Sequence, residues 1–126
     1  MPEKDARVIF VTLDRAGIHE PIKGEGMLKE LLCRFPMEEI WIGSAEEYPC
    51  LAVQTNGERA CLTYFHEEGL MWQSHGTASE STAFYAGGEL WEAPADAVIS
   101  RSEAVMCAVD YYRTQSRPGC IQWQQL

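Results

Sequence analysis

The spacing of apolar positions changes twice along the chain, and each change predicts a change of element. Residues 6–13, "ARVIFVTL", are β-branched and aromatic with little interruption, which predicts a largely buried strand. "DRAGIHEPIKGEG" follows, a loop by its content of Gly17, Pro21, Gly24 and Gly26. Leu28, Leu31, Leu32 and Phe35 then repeat at helical spacing, predicting a one-faced helix that stops at Pro36.

From Glu39 the period becomes two. "EIWIGS" alternates, and "CLAVQT" and "RACLTYF" flank Asn56-Gly57, a strong hairpin signal because both residues tolerate the positive φ of a tight turn. A turn at 67–69 leads to "LMWQSH", then polar "GTASES", "STAFYA", the pair Gly87-Gly88 and "ELWE". This reads as an antiparallel meander of about six short strands.

A second helix is the best-signalled element. Ser100 and Glu103 have capping-box spacing, and Ile99 is placed to staple against Ala104. Val105, Ala108, Val109 and Tyr112 form the expected apolar stripe, Arg113 suits the helix dipole, and Arg117-Pro118-Gly119 ends the run. "CIQWQQL" closes as a short strand. The order β-α-β(several)-α-β predicts a single α+β domain over residues 1–126. Its sheet is mainly antiparallel, with about six to eight strands and two helices packed on one face.

Composition narrows the function more than the fold. The 126 residues carry 46% hydrophobic and 23% charged side chains, ordinary for a folded chain, so a core of this size needs no metal or disulfide. No signal-peptide pattern opens the sequence and no apolar run approaches a membrane span, which predicts a soluble cytoplasmic protein. The five cysteines, Cys33, Cys50, Cys61, Cys107 and Cys120, are irregularly spaced with no C-x-x-C, and are expected as reduced, packed thiols. Cys33 and Cys107 fall on helices, the other three on strands.

The net charge of −9 is concentrated. Residues 35–100 hold eleven acids and the single base Arg59, while the segments on either side are near neutral. Such a field repels nucleic acid and favours basic partners. The bland alternative is an acidic surface that aids solubility.

Chemistry finds little footing. His19, His66 and His75 are the only histidines; His66 and His75 are expected on neighbouring strands, close enough to approach one another, but no third ligand pattern accompanies them. Cys61 with His75 is a formal nucleophile pair that nothing local activates. Phosphate loops, dinucleotide fingerprints and zinc-protease motifs are absent from the sequence, so no cofactor, metal or small-molecule substrate is expected. What remains is a protein-binding surface. Trp41, Tyr48, Trp72, Tyr85 and Trp91 all lie in the acidic segment, and each is either a core residue or an interface anchor.

One stretch carries a resemblance. Phe84-Tyr85, Gly87-Gly88, Trp91, Glu92 and Pro94, then Ser100 to Tyr112, Arg117-Pro118 and Trp123 resemble the first-numbered family of immunity proteins from bacterial polymorphic toxin systems. The resemblance is most specific over residues 60–126. It implies a non-enzymatic antitoxin that binds and blocks a cognate toxin domain, often of the nucleic-acid deaminase superfamily, with a basic active-site surface. An acidic face suits such a partner by charge complementarity. The expected toxin-binding residues are Glu46, Glu47, Glu67, Glu68, Glu89 and Glu92, with Trp72, Tyr85 or Trp91 as anchors. The Gly-Gly is expected to permit a bend or bulge in the sheet, with Trp91 locking it into the core or presenting it outward. The competing readings are a small acidic adaptor for another cellular protein and, more remotely, an enzyme using Cys61, His66 or His75.

Overall fold

A computed structural model describes residues 8–126 of the chain. Ala6 and Arg7, the start of the first expected strand, lie outside the described residues. The strand itself, β1, runs Phe10–Leu13 and turns back through Gly17, at φ 71°, into β2, Ile18–Pro21. This second strand falls where only a loop was expected. It pairs with β1 alone and buries almost nothing, so its polar "IHEP" sequence and its proline suit an edge and leave no alternating pattern to read.

Helix α1, Glu25–Arg34, follows, and the chain leaves it extended at Phe35, directly before Pro36. Four antiparallel strands come next: β3 (Met37–Gly43), β4 (Cys50–Asn56), β5 (Arg59–Glu67) and β6 (Leu70–His75). The β4–β5 turn is made by Gly57-Glu58, and only Gly57 takes a positive φ. Asn56 stays in the ladder and gives its side-chain amide to the Ala83 carbonyl at 2.9 Å.

Strands β7 (Thr82–Ala86) and β8 (Glu89–Ala93) then form a separate hairpin. A 3-10 turn at Ala95–Ala97 leads to the two-residue β9, Ile99–Ser100, which pairs with β5. Helix α2, Arg101–Thr114, has both halves of the expected capping box: the Ser100 hydroxyl accepts from the Glu103 N–H, and the Glu103 carboxylate accepts from the Ser100 N–H. The last strand, β10, is Gln122–Gln125.

The architecture is α+β, with the main sheet in the order β10-β6-β5-β4-β3-β1-β2. Alternation splits its residues cleanly. Val11, Leu13, Ile40, Ile42, Leu51, Val53 and Leu62 face α1 and α2 and are buried with Leu28, Leu31 and Leu32. On α2 the buried set is Ala104, Cys107, Ala108, Val109 and Tyr111, while Val105 and Tyr112 are only partly covered. The contact face is thus rotated from the expected stripe. Small residues at 104 and 108 let the helix backbone approach the sheet, and Tyr111 fills the space beside them.

The cysteines depart from expectation. Cys107 and Cys120 are joined as a disulfide with Cα atoms 6.2 Å apart, and Cys120 precedes the final strand instead of lying in it. Buried Pro118 folds the chain back there, its carbonyl accepting from the Trp123 indole N–H at 2.7 Å. Cys33 is exposed on α1, so of the three free thiols only Cys61 is fully buried and Cys50 partly so.

Candidate functional site

The face of the sheet turned away from the helices holds the features that remain. Its geometry begins with two adjacent acids on β3, Glu38 and Glu39, which are only 2% and 3% exposed. As strand neighbours they point to opposite faces, and each closes a turn. The Glu38 carboxylate accepts the backbone N–H groups of Arg15 (2.7 Å) and Ala16 (3.1 Å), fixing the β1–β2 turn. The Glu39 carboxylate accepts those of Gly87 (2.9 Å) and Gly88 (3.1 Å), with the Trp41 indole N–H at 3.3 Å.

Gly87 and Gly88 have φ of 62° and 84° and form the two-residue loop of the β7–β8 hairpin. They are therefore a hairpin tip clamped onto the sheet, and no bend or bulge within it. Successive N–H groups aimed at one buried carboxylate satisfy its charge without a cation.

Further bonds fasten β7 across β4: Gln54 donates to the Tyr85 carbonyl at 3.1 Å, alongside the Asn56 bond to Ala83. Beneath the hairpin a second, smaller core gathers Cys61, Phe84, Ala93, Ala97 and Val98, with Trp91 packed on its margin. The hairpin roofs only part of this face. Beside it lies an open groove of about 510 Å³. Its floor is Trp41, Ala52, Thr63, Phe65, Met71 and Gln73; Glu89, Leu90 and Trp91 bound it on the hairpin side, with Leu126 also lining it. Trp41 and Phe65 stack at 5.6 Å between ring centroids.

Around the groove the exposed charge is acidic. The bases are largely engaged within the fold: Arg34 with Glu30, Arg113 with Glu25, and Arg101 with the Gly57 and Phe35 carbonyls. Arg59 donates to the Glu80 carbonyl and the Thr82 hydroxyl. The groove is lined by Glu39 and Glu89 and by no Lys or Arg.

The expected toxin-binding residues divide accordingly. The β3–β4 loop, with exposed Glu46 and Glu47, and the β5–β6 turn, with exposed Glu67 and Glu68, leave the sheet at the same end, just beyond the Phe65–Met71 pair of the groove floor. Glu89 and Trp91 line the groove itself. Glu92 is exposed on β8 and accepts from the Ser81 hydroxyl at 2.7 Å. Trp72 lies apart, against the helix-side core with the Arg117 guanidinium 4.4 Å above its ring. Tyr85 is also elsewhere, covered by the Arg15 guanidinium at 3.6 Å, near Phe35 and Met37. The floor residues Phe65 and Met71 escaped the sequence reading, although their alternation with buried Tyr64 carries the signal.

His66 and His75 do not approach one another: they sit at opposite ends of the β5–β6 pair, His66 against Tyr64 and Trp72, His75 opposite Gln122. Burial pushes the Cys61 thiol up to about 11, opposite to the shift an activated nucleophile needs. Among the described residues no group of three or more His, Cys, Asp and Glu is placed to hold a metal ion, and no helix is long and apolar enough to cross a membrane.

Fold and face together describe an α+β fold with one braced face and one open, acid-flanked face. Residues 23–125 match the family described as Immunity protein Imm1. The chain belongs to that family, whose members act against toxins. No curated protein matches the chain.

Proposed function

We propose that this immunity protein acts as a single domain in the cytoplasm of the cell that makes it. There it binds a cognate toxin of the nucleic-acid deaminase class and covers the basic surface that such an enzyme turns towards its substrate. The observation that carries the reading is the set of exposed acids around the groove. Glu46, Glu47, Glu67, Glu68, Glu89 and Glu92 are all exposed, on the loops and strands around the groove. A negative field of that kind steers a basic partner and accelerates its association, and aromatic contact with Trp91 adds tightness. Trp72 and Tyr85, each beneath an arginine, contribute through the fold. Inhibition by occupancy needs no catalytic group.

The test is co-expression with the toxin domain encoded in the adjacent reading frame. Survival of the cells, and a complex whose affinity falls with salt, are the expected results. Alanine at Glu46, Glu47, Glu67 and Glu68 together weakens binding and flattens its salt dependence at an unchanged melting temperature. Affinity and salt dependence both equal to the parent's in that variant refute the electrostatic mechanism.

A further inference from the structure

The open groove states more about the partner than its sign of charge. Two of the most exposed large apolar side chains of the described residues, Leu90 at 64% and Leu126 at 60%, line this one groove. Its floor adds the Trp41–Phe65 stack and Met71, a flexible thioether that adapts to irregular shapes. At the inner end sits the Glu39 carboxylate, whose partners among the described residues are N–H donors and no cation. That carboxylate is thus held in place by N–H dipoles, and Glu89 adds an exposed one to the lining. Carboxylates in a largely apolar lining that holds no Lys or Arg favour a cation there.

Resting on the immunity reading, we propose that this groove is the seat for a toxin segment that presents an apolar side chain next to an arginine or lysine. The basic side chain lays its aliphatic stem along the Trp41–Phe65 pair and carries its cation towards Glu39 and Glu89, combining cation–π and ionic attraction. The apolar neighbour fills the space over Met71 and Leu126. An anionic ligand is repelled by the same two carboxylates, and a purely apolar segment leaves the exposed Glu89 without a counter-charge on desolvation. Charge complementarity thus selects a basic protein segment over nucleotides and acidic peptides.

The experiment uses the full chain and the toxin domain from the adjacent reading frame, with affinity read by calorimetry and folding by thermal melting. Met71→Lys places a like charge in the seat and is expected to cost about thirtyfold or more in affinity, the scale of a binding hot spot. Met71→Leu keeps the apolar volume and binds within about threefold of the parent. Glu89→Lys on the exposed lip tests the groove independently, should Met71→Lys lower the melting temperature, and is expected to weaken binding about tenfold or more at low salt. Parental rescue with unimpaired binding by a folded Met71→Lys and by Glu89→Lys overturns the groove and leaves the immunity reading standing. Absence of any complex with the parent protein overturns both.

Discussion

The two faces of the sheet are covered by different means. On one side, two helices bury a continuous aliphatic layer from Val11 across Ile42 and Val53 to Leu62. On the other, a hairpin donates to Glu39 and accepts from Gln54 and Asn56 over a small core of Phe84, Ala93 and Val98. The first face is stabilised by area, which is non-directional and tolerant of detail. The second is held by a few directional contacts and leaves part of its apolar floor open. A surface of the second kind retains shape without being sealed, which suits recognition, while the first supplies the stability that allows it.

Truncation separates the faces most strongly. Leu62 is fully buried beneath the helices, and Leu62→Ala is expected to cost about 2–5 kcal/mol in unfolding free energy through lost transfer energy and a residual cavity. Met71 is equally apolar but lies on the half-open face, and Met71→Ala should cost well under half as much. Chemical denaturation of the two variants measures the contrast. Equal losses would mean that both faces are core and that the open groove plays no separate part.

Intermediate in size is the effect of removing the clamp. Glu39→Ala leaves the Gly87 and Gly88 N–H groups without their carboxylate and is expected to cost about 1–3 kcal/mol, the scale of bonds to a charged acceptor. The loss should be local. Amide exchange at Gly87 and Gly88 speeds up by more than exchange at Val53, whose strand lies under the helices. Uniform acceleration across both sites would instead make the hairpin inseparable from the main core.

Much of this division was legible in sequence, and what was hidden was hidden for one reason. Elements that announce themselves locally were placed correctly: the Ser100–Glu103 box, the alternation of β3 to β6, and the stop at Pro36. Features that depend on a distant partner were not. Glu38-Glu39 looks like a solvated acid pair, because the N–H groups that justify its burial come from residues 22 to 49 positions away. Gly76 looks like loop punctuation, yet a Cβ there would stand 2.1 Å from the Val98 carbonyl oxygen. The cations over the Trp72 and Tyr85 rings likewise come from far along the chain, from the segment after α2 and from the β1–β2 turn. The acidic segment was visible as charge; that Phe65 and Met71 form its apolar floor required the sheet.

The smallest effect expected belongs to the helix face and tests whether charge there does anything comparable. Arg113 of α2 holds Glu25 of α1 through two bonds, one of them 2.8 Å, and this hydrogen-bonded pairing lowers the Glu25 carboxyl below its ordinary value of 4.5. A depressed folded-state value contributes stability that is present above the unfolded pKa and is lost as pH falls through the folded one. Glu25→Gln should therefore melt slightly below the parent at pH 7 and match it once the pH is below the lowered folded value. Because the pair is exposed, the gap at pH 7 should shrink further in high salt. A large, salt-independent gap would mean that the two helices are joined by this ion pair as firmly as the hairpin is by Glu39. The contrast between a face held by apolar area and a face held by placed charge would then fail.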